Sequence, residues 1–350
     1  MNGPKKSQSR STGKILAISF TGRPTEAMNR AEVEDTYAEA FRSLYAEVLI
    51  TARDRTWLDH AVLAATGNAS STILCDCEAG LDRYVGPGGD EAFATPDGRP
   101  GAVLQFHVPR FRKDRVKAFE RSLMVRISQN VLTCATASCF NLLDTEPFYR
   151  LGRKLAFFGD GYQFRAQRWG RKVWVVPILG GEFLIDRRFG YQDGLMGGNL
   201  WFMGRDLDAA LQAAERAVQA VRESPGVIMP FPGGIAASGS KAGSRYKFLI
   251  ASTYEAYCPS LRSKLGDHSR VPEGVGSIME IIINGKDLEA ISRATQTAIA
   301  AAVETPGLVR ISAGNYEGRL GKSFIYLQPN RSPSRTQQED RFTSESPPNQ

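Results

Sequence analysis

The sequence predicts an α+β protein built from two lobes, and the main observation behind this prediction is an internal repeat. Residues 204–226 align without a gap with residues 285–307, and ten of the 23 positions are identical. In both copies Gly and Asp open a stripe of Ala and branched apolar residues, and Pro-Gly closes it, as expected for an amphipathic helix. An apolar strand precedes and follows each copy. The order β-α-β therefore occurs twice, which is the split arrangement of a ferredoxin-like lobe.

The strands of the second half follow from the positions of these helices. We expect strands at Leu200–Met203 and Ile278–Ile283 before the helices, and at Val227–Met229 and Leu308–Ile311 after them. Flanking glycines and the apolar content of these runs favour strands.

The first half is predicted to repeat the same organisation. Its elements are a strand at Glu47–Thr51, a helix at Thr56–Thr66, strands at Thr72–Cys75 and Ala102–Phe106, a helix at Lys113–Val131 and a strand around Ala137–Leu142. Two helices would cover one face of each sheet, and the other face must be buried by a second lobe or another subunit. This uncovered face is the physical reason to expect a homo-oligomer.

Composition places the boundaries of these lobes. We predict a flexible basic arm at residues 1–30, lobes at 31–178 and 179–328, and a polar disordered tail at 329–350. The arm and tail have too little apolar content to pack against a core.

The overall composition is that of a soluble globular enzyme, with 42% hydrophobic and 23% charged residues in a chain of 350. No apolar run approaches the roughly 20 residues of a membrane helix, and the stretch at 15–20 is too short for a signal peptide. The five cysteines lack the spacing of a disulfide framework or a zinc site. We therefore predict a cytoplasmic protein without membrane association and without a metal.

The net charge of +7 is concentrated at one end of the chain. Residues 1–30 carry six basic and one acidic side chain, and residues 329–350 carry three of each, so the body holds only about +2. A basic arm is a weak argument for nucleic acid, and no nucleic-acid partner is predicted. One cluster in the body is either a solvated helix face or a site that attracts a polyanion: Arg110, Arg112, Lys113, Arg115, Lys117, Arg121 and Arg126.

Several loops between the predicted elements carry specific motifs. They are Asp97-Gly-Arg-Pro-Gly101, Phe157-Phe-Gly-Asp-Gly-Tyr-Gln163, Phe231-Pro-Gly-Gly-Ile235, Ser238-Gly-Ser-Lys241, Ala251-Ser-Thr253, Ala256-Tyr-Cys-Pro259 and Ile311-Ser-Ala-Gly-Asn315. With the stretch at 33–41 and the strand that holds Glu280, they closely resemble the formylmethanofuran:tetrahydromethanopterin formyltransferases. The resemblance covers roughly residues 31–328.

This resemblance implies reversible transfer of a formyl group between the amine of a methanofuran-type coenzyme and N5 of tetrahydromethanopterin. It implies two ferredoxin-like lobes, a homotetramer, and no tightly bound cofactor, because both carriers are substrates. Relatives in methylotrophic bacteria are subunits of a complex with a hydrolase. The basic arm, the polar tail and the basic cluster depart from the archaeal pattern and favour this bacterial setting. They leave the physiological direction open.

Formyl transfer between two nitrogens passes through a tetrahedral carbon that bears an oxyanion. The site needs a proton donor and acceptor, hydrogen-bond donors for the oxygen, and exclusion of water. Glu280 is the candidate for the proton role, because alternation places it on one strand face with Ile278 and Ile282. Burial there would raise its pKa. The alternative is an edge-strand carboxylate paired with a basic side chain.

The glycine-rich stretch at 230–244 is the candidate cradle for the oxyanion and the carriers. Its glycines allow close backbone approach, and its polar side chains supply donors; the members are Gly233, Gly234, Ser238, Gly239, Ser240 and Lys241. We assign Ser240 and Lys241 to the catalytic group with Glu280. The order of Ser and Lys does not match a nucleotide P-loop, and a plain surface turn is the alternative.

Further substrate-binding candidates are Asp160, Tyr162, Ser252, Thr253, Tyr257, Asn199 and Asn315. The stretch at 159–161 is alternatively a tight turn with no other role. The basic side chains expected to steer the anionic carriers are Arg110, Arg112, Lys113, Arg115 and Arg121. The alternative function is a non-catalytic ferredoxin-like binding or structural subunit of a larger complex. Against RNA binding, the stretch at 188–191 does not match the RNA-recognition signature.

Overall fold

The computed structural model describes residues 30–315 and 318–328 and shows a mixed α+β architecture. We refer to residues 30–178 as the first half and residues 179–328 as the second half. The predicted arm at 1–30 and tail at 329–350 lie outside the described residues, apart from Arg30.

The first half contains a succession of strands with three α-helices. Its elements are β1 (Glu32–Val33), β2 (Tyr37–Thr51), α1 (Arg55–Thr66), β3 (Glu78–Val85), β4 (Gly101–Pro109), α2 (Arg115–Arg126), β5 (Ser138–Asn141), β6 (Phe148–Tyr149), α3 (Leu151–Ala156), β7 (Phe164–Arg168) and β8 (Arg171–Ile178).

The second half contains more strands, two long helices and one short helix. Its elements are β9 (Gly181–Asp186), β10 (Phe189–Gly190), β11 (Gln192–Gly197), β12 (Asn199–Gly204), α4 (Leu207–Val221), β13 (Val227–Ile228), β14 (Lys241–Ala242), β15 (Ala251–Ser252), α5 (Arg262–Leu265), β16 (Ser277–Ile282), β17 (Asn284–Gly285), α6 (Leu288–Ala302), β18 (Leu308–Ser312) and β19 (Ser323–Tyr326).

The strands of the first half pair in the order β5-β2-β4-β3, and each neighbouring pair is antiparallel. Helices α1 and α2 pack on one face of this sheet, where Leu58 and Phe119 join Phe106 in the core. Apolar residues recur at helical spacing on α1 and at every second position on β4, so both elements bury one face against the other.

The face of this sheet opposite the helices is covered by the chain itself. Strand β9 pairs with β5 in parallel, which brings β8 over the sheet. Val173 and Val175 of β8 then pack with Leu49 and Val103 in a second apolar cluster. We expected a second lobe or another subunit to bury this face, and the structure shows that strand β8 packs on it.

The repeat helices of the second half are confirmed as α4 and α6. Asp206 and Asp287 are their N-caps, and each side chain accepts a hydrogen bond from the backbone N–H three residues later, at 2.8 and 2.7 Å. Strands β18, β12 and β16 are antiparallel neighbours beneath these helices. Strand β13 pairs with β17, which follows β16 directly.

The face of this second sheet opposite α4 and α6 is also covered from within. Trp201 and Met203 of β12 pack there with Val271 and Val275 of the connection between α5 and β16. The sheet geometry therefore removes the original physical reason for expecting an oligomer, since neither sheet leaves a whole face bare.

One predicted strand of the first half was wrong. Residues 72–75 form a turn in which the backbone N–H of Cys75 donates to the carbonyl oxygen of Ser71 at 2.8 Å. The strand is β3, at Glu78–Val85. It escaped detection because its inward positions include the carboxylates of Glu78 and Asp82, which are buried and hydrogen-bonded.

The predicted helix at 113–131 is shorter than expected as an α-helix. It runs from Arg115 to Arg126 and continues as a wider π-helical turn over Ile127–Val131. The backbone N–H of Leu132 donates to the carbonyl oxygen of Ile127 at 2.9 Å, which is the five-residue spacing of that turn.

Strand β2 connects the two halves. Its 15 residues pair with β4 and β5 toward one end, and with β11 and β19 toward the other. The halves also meet at Asp82, whose carboxylate accepts the backbone N–H of Gly226 at 3.0 Å. In the described ranges, no helix has the length and apolar character needed to cross a membrane.

Candidate active site

Glu280 lies in β16, directly opposite Trp201 of the neighbouring strand β12. One oxygen of its carboxylate, Oε1, accepts two hydrogen bonds from that strand. Asn199 Nδ2 donates at 2.8 Å and Trp201 Nε1 at 3.0 Å. Asn199 and Trp201 are two residues apart, so strand alternation places both side chains on the face that carries Glu280.

The alternation predicted for this strand is confirmed. Met279 and Ile281 are buried on the helix face, whereas Ile278, Glu280 and Ile282 are only partly buried on the other face. Burial raises the pKa of Glu280, and the hydrogen bonds from Asn199 and Trp201 oppose that rise. Glu280 as a whole residue remains partly exposed.

The glycine-rich stretch approaches Glu280 from the outer edge of β16. The backbones of Ala236 and Glu280 exchange two hydrogen bonds, of 2.7 and 2.9 Å. The preceding contact along this edge pairs Ile228 with Asn284. Residues 229–235 therefore bulge out opposite only residues 281–283 and return to the sheet beside Glu280.

Two glycines shape this bulge. Gly233 and Gly234 have φ angles of +66° and +87°, which L side chains rarely adopt. A Cβ on Gly233 would meet open space, whereas one on Gly234 would lie 3.0 Å from both methyl groups of Val218. Gly234 is thus fitted against α4, and Gly233 faces outward.

A long groove runs beside the bulge and includes Gly233 and Gly234 among its walls. Its volume is about 1310 Å³. The groove separates α1 and β3 of the first half from the end of α4 and the stretch at 225–234 of the second half. Its charged lining includes Arg55, Asp59, Arg83 and Arg222.

Aromatic side chains cover the Trp201 side of the carboxylate. The ring of Tyr257 lies 4.5 Å from that of Trp201, and the ring of Tyr254 lies 5.9 Å away. Gly314 closes on the same group, because a Cβ there would overlap Asn199 Nδ2 and come within 2.9 Å of Trp201 Cζ2. The predicted residues Asn199 and Tyr257 therefore do lie at the Glu280 site.

Lys241 lies on a hairpin formed by β14 and β15, where its strand position pairs with that of Ser252. Its ammonium group forms an ion pair with Glu255, and this pairing lowers the pKa of Glu255. The hydroxyl of Ser252 donates to the carbonyl oxygen of Gly243 at 2.8 Å. The contacts of Lys241 that the structure describes thus join it to Glu255, in the helical turn that follows the hairpin, rather than to Glu280.

The other members of this stretch are accessible. Ser238 and Ser240 are exposed on the path to Lys241, and Gly239 there has a φ of +52° with open space around it. The hydroxyl of Thr253 lies 3.4 Å from Cys258 Sγ.

Asp160 and Tyr162 belong to the first half, where they follow α3. Asp160 has a φ of +49° and Gly161 of +93°, so these residues form a tight turn. Tyr162 is 80% exposed. Asn315, in contrast, follows Gly314. Its side-chain amide donates to Thr36 Oγ1 at 2.7 Å, directly before strand β2 begins.

The basic cluster of the sequence is partly neutralised. Arg110 forms an ion pair with Asp193, and Arg112 forms one with Asp114 at 2.6 Å. Arg126 is buried and donates to the carbonyl oxygens of Ala65, Gly67 and Asn68 at the end of α1. Lys113 and Arg121 are exposed, and Arg115 is partly buried.

Four residues around Glu280 were not singled out from the sequence, namely Trp201, Ala236, Tyr254 and Gly314, although Ala236 and Gly314 lie in stretches that were. The repeat aligns Glu280 with Asn199 but does not set the register in which the strands before α4 and α6 pair. The structure shows that Trp201 lies opposite Glu280 in this antiparallel pair. The other three reach the site through loops that have no regular spacing.

Family models match the chain on both sides of its midpoint. The model described as formylmethanofuran-tetrahydromethanopterin formyltransferase matches residues 27–178, and the model described as FTR, proximal lobe, matches residues 181–329. The chain belongs to this formyltransferase family. The family prediction made from the loop motifs is confirmed.

Curated relatives of this formyltransferase family match nearly their whole length. The Methanosarcina acetivorans enzyme is 46% identical over 84% of this chain and 96% of its own, and the Archaeoglobus fulgidus enzyme is 45% identical over 86% and 98%. Both are formylmethanofuran–tetrahydromethanopterin formyltransferases.

Two solved structures show the same fold. The formyltransferase from Methanosarcina barkeri superimposes with a TM-score of 0.79 at 45% identity, covering 85% of this chain and 97% of that one. The formyltransferase/hydrolase complex from Methylorubrum extorquens, solved with methylofuran, contains a chain with a TM-score of 0.77 at 37% identity, covering 84% and 95%.

Proposed function

We propose that this chain transfers a formyl group between the amine of a methanofuran-type carrier and N5 of tetrahydromethanopterin, by direct attack of one nitrogen on the formyl carbon, with Glu280 moving the proton. Family membership supports the transfer and the two carriers. The observation that supports the role of Glu280 is the hydrogen bonding of its carboxylate by Asn199 and Trp201 in a residue that remains partly exposed.

The proposed reaction is reversible, and in one direction N5 of the pterin is the attacking nitrogen. The lone pair of N5 attacks the formyl carbon, and the carbonyl π electrons move to oxygen to give a tetrahedral oxyanion. The attacking nitrogen loses its proton, the departing amine gains one, and the bond between the carbon and that amine breaks as the carbonyl re-forms. One carboxyl group can serve both proton steps if it alternates between neutral and charged forms.

Glu280 is suited to this alternation because its two oxygens differ in their surroundings. Oε1 accepts from both Asn199 and Trp201. Among the described contacts, Oε2 has no hydrogen-bond partner, so it is the oxygen that would carry the transferable proton. Burial raises the pKa of Glu280, and the hydrogen bonds from the two donors oppose that rise.

The glycine bulge and the hairpin after it would bind the carriers. Gly233 and Gly234 line the groove, and Gly239, Ser238 and Ser240 present accessible backbone and hydroxyl groups. Lys241 is retained in this proposal as an electrostatic contributor to the oxyanion or an anionic tail, for which it would have to leave Glu255. Ser252, Thr253, Asp160 and Tyr162 remain proposed contacts.

For the fold, we propose two ferredoxin-like lobes. The strand orders β5-β2-β4-β3 and β18-β12-β16-β13, with β17 continuing β16, both match a split β-α-β arrangement. The lobes would meet near residues 178 and 179, with β2 extending from one to the other.

We also propose that the chain works in the cytoplasm as a homo-oligomer, with a tetramer expected and hydrolase subunits as possible partners. The hairpin tip supports association, because Tyr246, Phe248 and Ile250 are 60%, 81% and 67% exposed. The structural neighbour from Methylorubrum extorquens is itself a formyltransferase/hydrolase complex. The exposed cations Lys113 and Arg121 would attract the anionic carriers.

The test is a transfer assay with purified full-length protein, a formyl-loaded pterin and the free furan carrier, followed by mass spectrometry. Wild-type protein should move the formyl group, and Glu280→Gln should lower kcat by roughly 10²- to 10⁴-fold, the range for loss of a positioned acid–base group. Glu289→Gln, on the exposed side of α6, is the matched control and should keep wild-type turnover. Normal turnover in Glu280→Gln would remove the proton role, and absence of transfer by wild-type protein would remove the function.

A further inference from the structure

Glu39 of β2 is a buried carboxylate with no part in the proton transfer described above. It is 1% exposed. Among the described residues, its oxygens accept the backbone N–H groups of residues 318, 320 and 321: Gly318 at 2.8 Å to Oε1, and Leu320 at 2.9 Å and Gly321 at 3.1 Å to Oε2. A buried carboxylate is costly unless it is hydrogen-bonded in this way, so the contacts hold these residues firmly to β2.

Gly314 precedes residues 318–321 in the chain and lies against the two donors of Glu280. It is packed so closely on Asn199 and Trp201 that a Cβ would overlap the Asn199 amide. At the Glu39 end, a Cβ on Gly321 would overlap the backbone of Ala40. Gly314 and Gly321 are therefore each tightly packed, and the position of Gly314 decides how much room Asn199 and Trp201 have.

The backbone of Glu39 holds a second segment beside Asn199. Its carbonyl oxygen accepts the N–H of Gly198 at 3.2 Å, immediately before Asn199 enters β12. Glu39 therefore holds two segments. Its carbonyl group holds the backbone just before Asn199, and its carboxylate holds residues 318–321.

We propose that Glu39 is a positioning residue that sets the geometry of Asn199 and Trp201 against the Glu280 carboxylate. This inference rests on the proposed role of Glu280. It assigns the effect to placement of two hydrogen-bond donors, without contact between Glu39 and either carrier.

The test is Glu39→Gln, measured as a kcat profile against pH. The amide would turn an N–H₂ group toward backbone N–H donors, so residues 318–321 should loosen and the donors of Glu280 should shift. Weaker donation disfavours the charged carboxylate, so the pH midpoint assigned to Glu280 should move upward. Turnover at neutral pH should fall by about tenfold, as expected for a small misplacement near the reacting groups, with little change in KM.

A second readout does not depend on turnover. The indole N–H resonance of Trp201, assigned with Trp201→Phe, should titrate with the ionisation of Glu280 in wild-type protein and at higher pH in Glu39→Gln. Gly314→Ala should cause the same upward shift, because it disturbs Asn199 and Trp201 directly. If Glu280→Gln proved fully active, the proposed proton role of Glu280 would fail, while a shifted Trp201 titration would still support the positioning role.

Asp186→Asn is the matched control. Asp186 is also a buried carboxylate that accepts a backbone N–H, from Asn141 at 2.8 Å, but its contacts lie in the sheet of the first half. The control should lose stability while both titrations stay unchanged. If Glu39→Gln behaved in the same way, the proposal would be overturned. Should Glu39→Gln not fold, Glu39→Asp is measured in its place, with a smaller shift in the same direction expected and no shift counting against the proposal.

Discussion

Strand β4 of the first half and strand β16 of the second half both carry polar side chains on the face opposite the helices, but only in β16 is such a side chain partly exposed. In β4, His107 is fully buried, with Nδ1 3.0 Å from Ser43 Oγ and Nε2 3.0 Å from Gln105 Oε1. In β16, Glu280 has one oxygen satisfied by its neighbours and remains partly exposed.

Burial has opposite electrostatic consequences at these two positions. It lowers the pKa of His107 to about 3 and raises the pKa of Glu280, because in both cases it disfavours the charged form. Both ring nitrogens of His107 lie within hydrogen-bonding distance of neighbouring side chains, and the ring stacks on Tyr45. The residue therefore has a structural role in the core. The comparison shows that a perturbed pKa marks a candidate proton donor only where the group also has a free hydrogen-bonding position and access to a ligand.

The largest predicted difference between the two strands is in how the free energy of unfolding changes on acidification. The unfolded chain protonates His107 below about pH 6.5, whereas the folded protein resists protonation until about pH 3. The contribution of this residue to stability is therefore complete above pH 6.5. It declines by up to about 1.4 kcal/mol per pH unit as the pH falls through that window.

His107→Gln should lack this slope while it keeps the transfer activity of the folded protein at pH 7. The measurement is the free energy of unfolding from denaturant titrations at pH 7, 6 and 5 for both proteins. Parallel pH dependence in the two would contradict the assignment of a neutral buried His107, and a loss of turnover in fully folded variant would weaken the distinction between the two strands.

Glu280 should give a slope of the opposite kind. Its folded pKa lies above its unfolded value of about 4.3, so the folded protein holds a proton that the unfolded chain has lost. Stability from this group is full below about pH 4.3 and declines as the pH rises to the folded pKa.

Glu280→Gln removes that decline, so the stability of the variant relative to wild-type protein should improve between pH 4.5 and pH 8, two pH values chosen to bracket the window. Glu289→Gln, at an exposed position, should show no such trend. A constant difference between Glu280→Gln and wild type across this range would mean that the carboxyl group titrates normally.

The smallest predicted effects on stability concern the bulge at residues 229–235. This bulge distinguishes the edge of the second sheet from the edge of the first. In the first half, β3 pairs with β4 along its whole length with one register shift between Leu81 and Arg83, whereas in the second half residues 229–235 leave the sheet. Gly233→Ala should cost about 1 kcal/mol for its positive φ alone, and Gly234→Ala more, because its Cβ also meets Val218. Thermal unfolding of both variants measures the difference, and equal losses would show that α4 does not constrain the bulge.

The features that local signals predicted are the repeat helices and the alternation around Glu280. Asp206 and Asp287 act within three residues of their partners, so their caps are visible in the sequence. Strand β3 was missed because Glu78 and Asp82 find partners in Asn284 and Gly226, which lie far away in the chain. Its charged pattern has no local explanation.

The same limit applies to the site. Glu280 was found because its apolar strand is unusual, but the packing of Gly314 on its donors depends on a loop without periodicity. Lys241 was grouped with Glu280 on the basis of residue type, whereas its ion-pair partner is Glu255, 14 residues along the chain. Residue type indicated the chemistry better than it indicated which side chains meet.

Strand β2 has a consequence for how the molecule comes apart. Because one continuous backbone supplies hydrogen-bonded partners to strands of both halves, neither half can open completely without stripping partners from the other. Melting should then proceed as one concerted event, and a gene cut between the halves would yield fragments with bare sheet edges that aggregate or recombine.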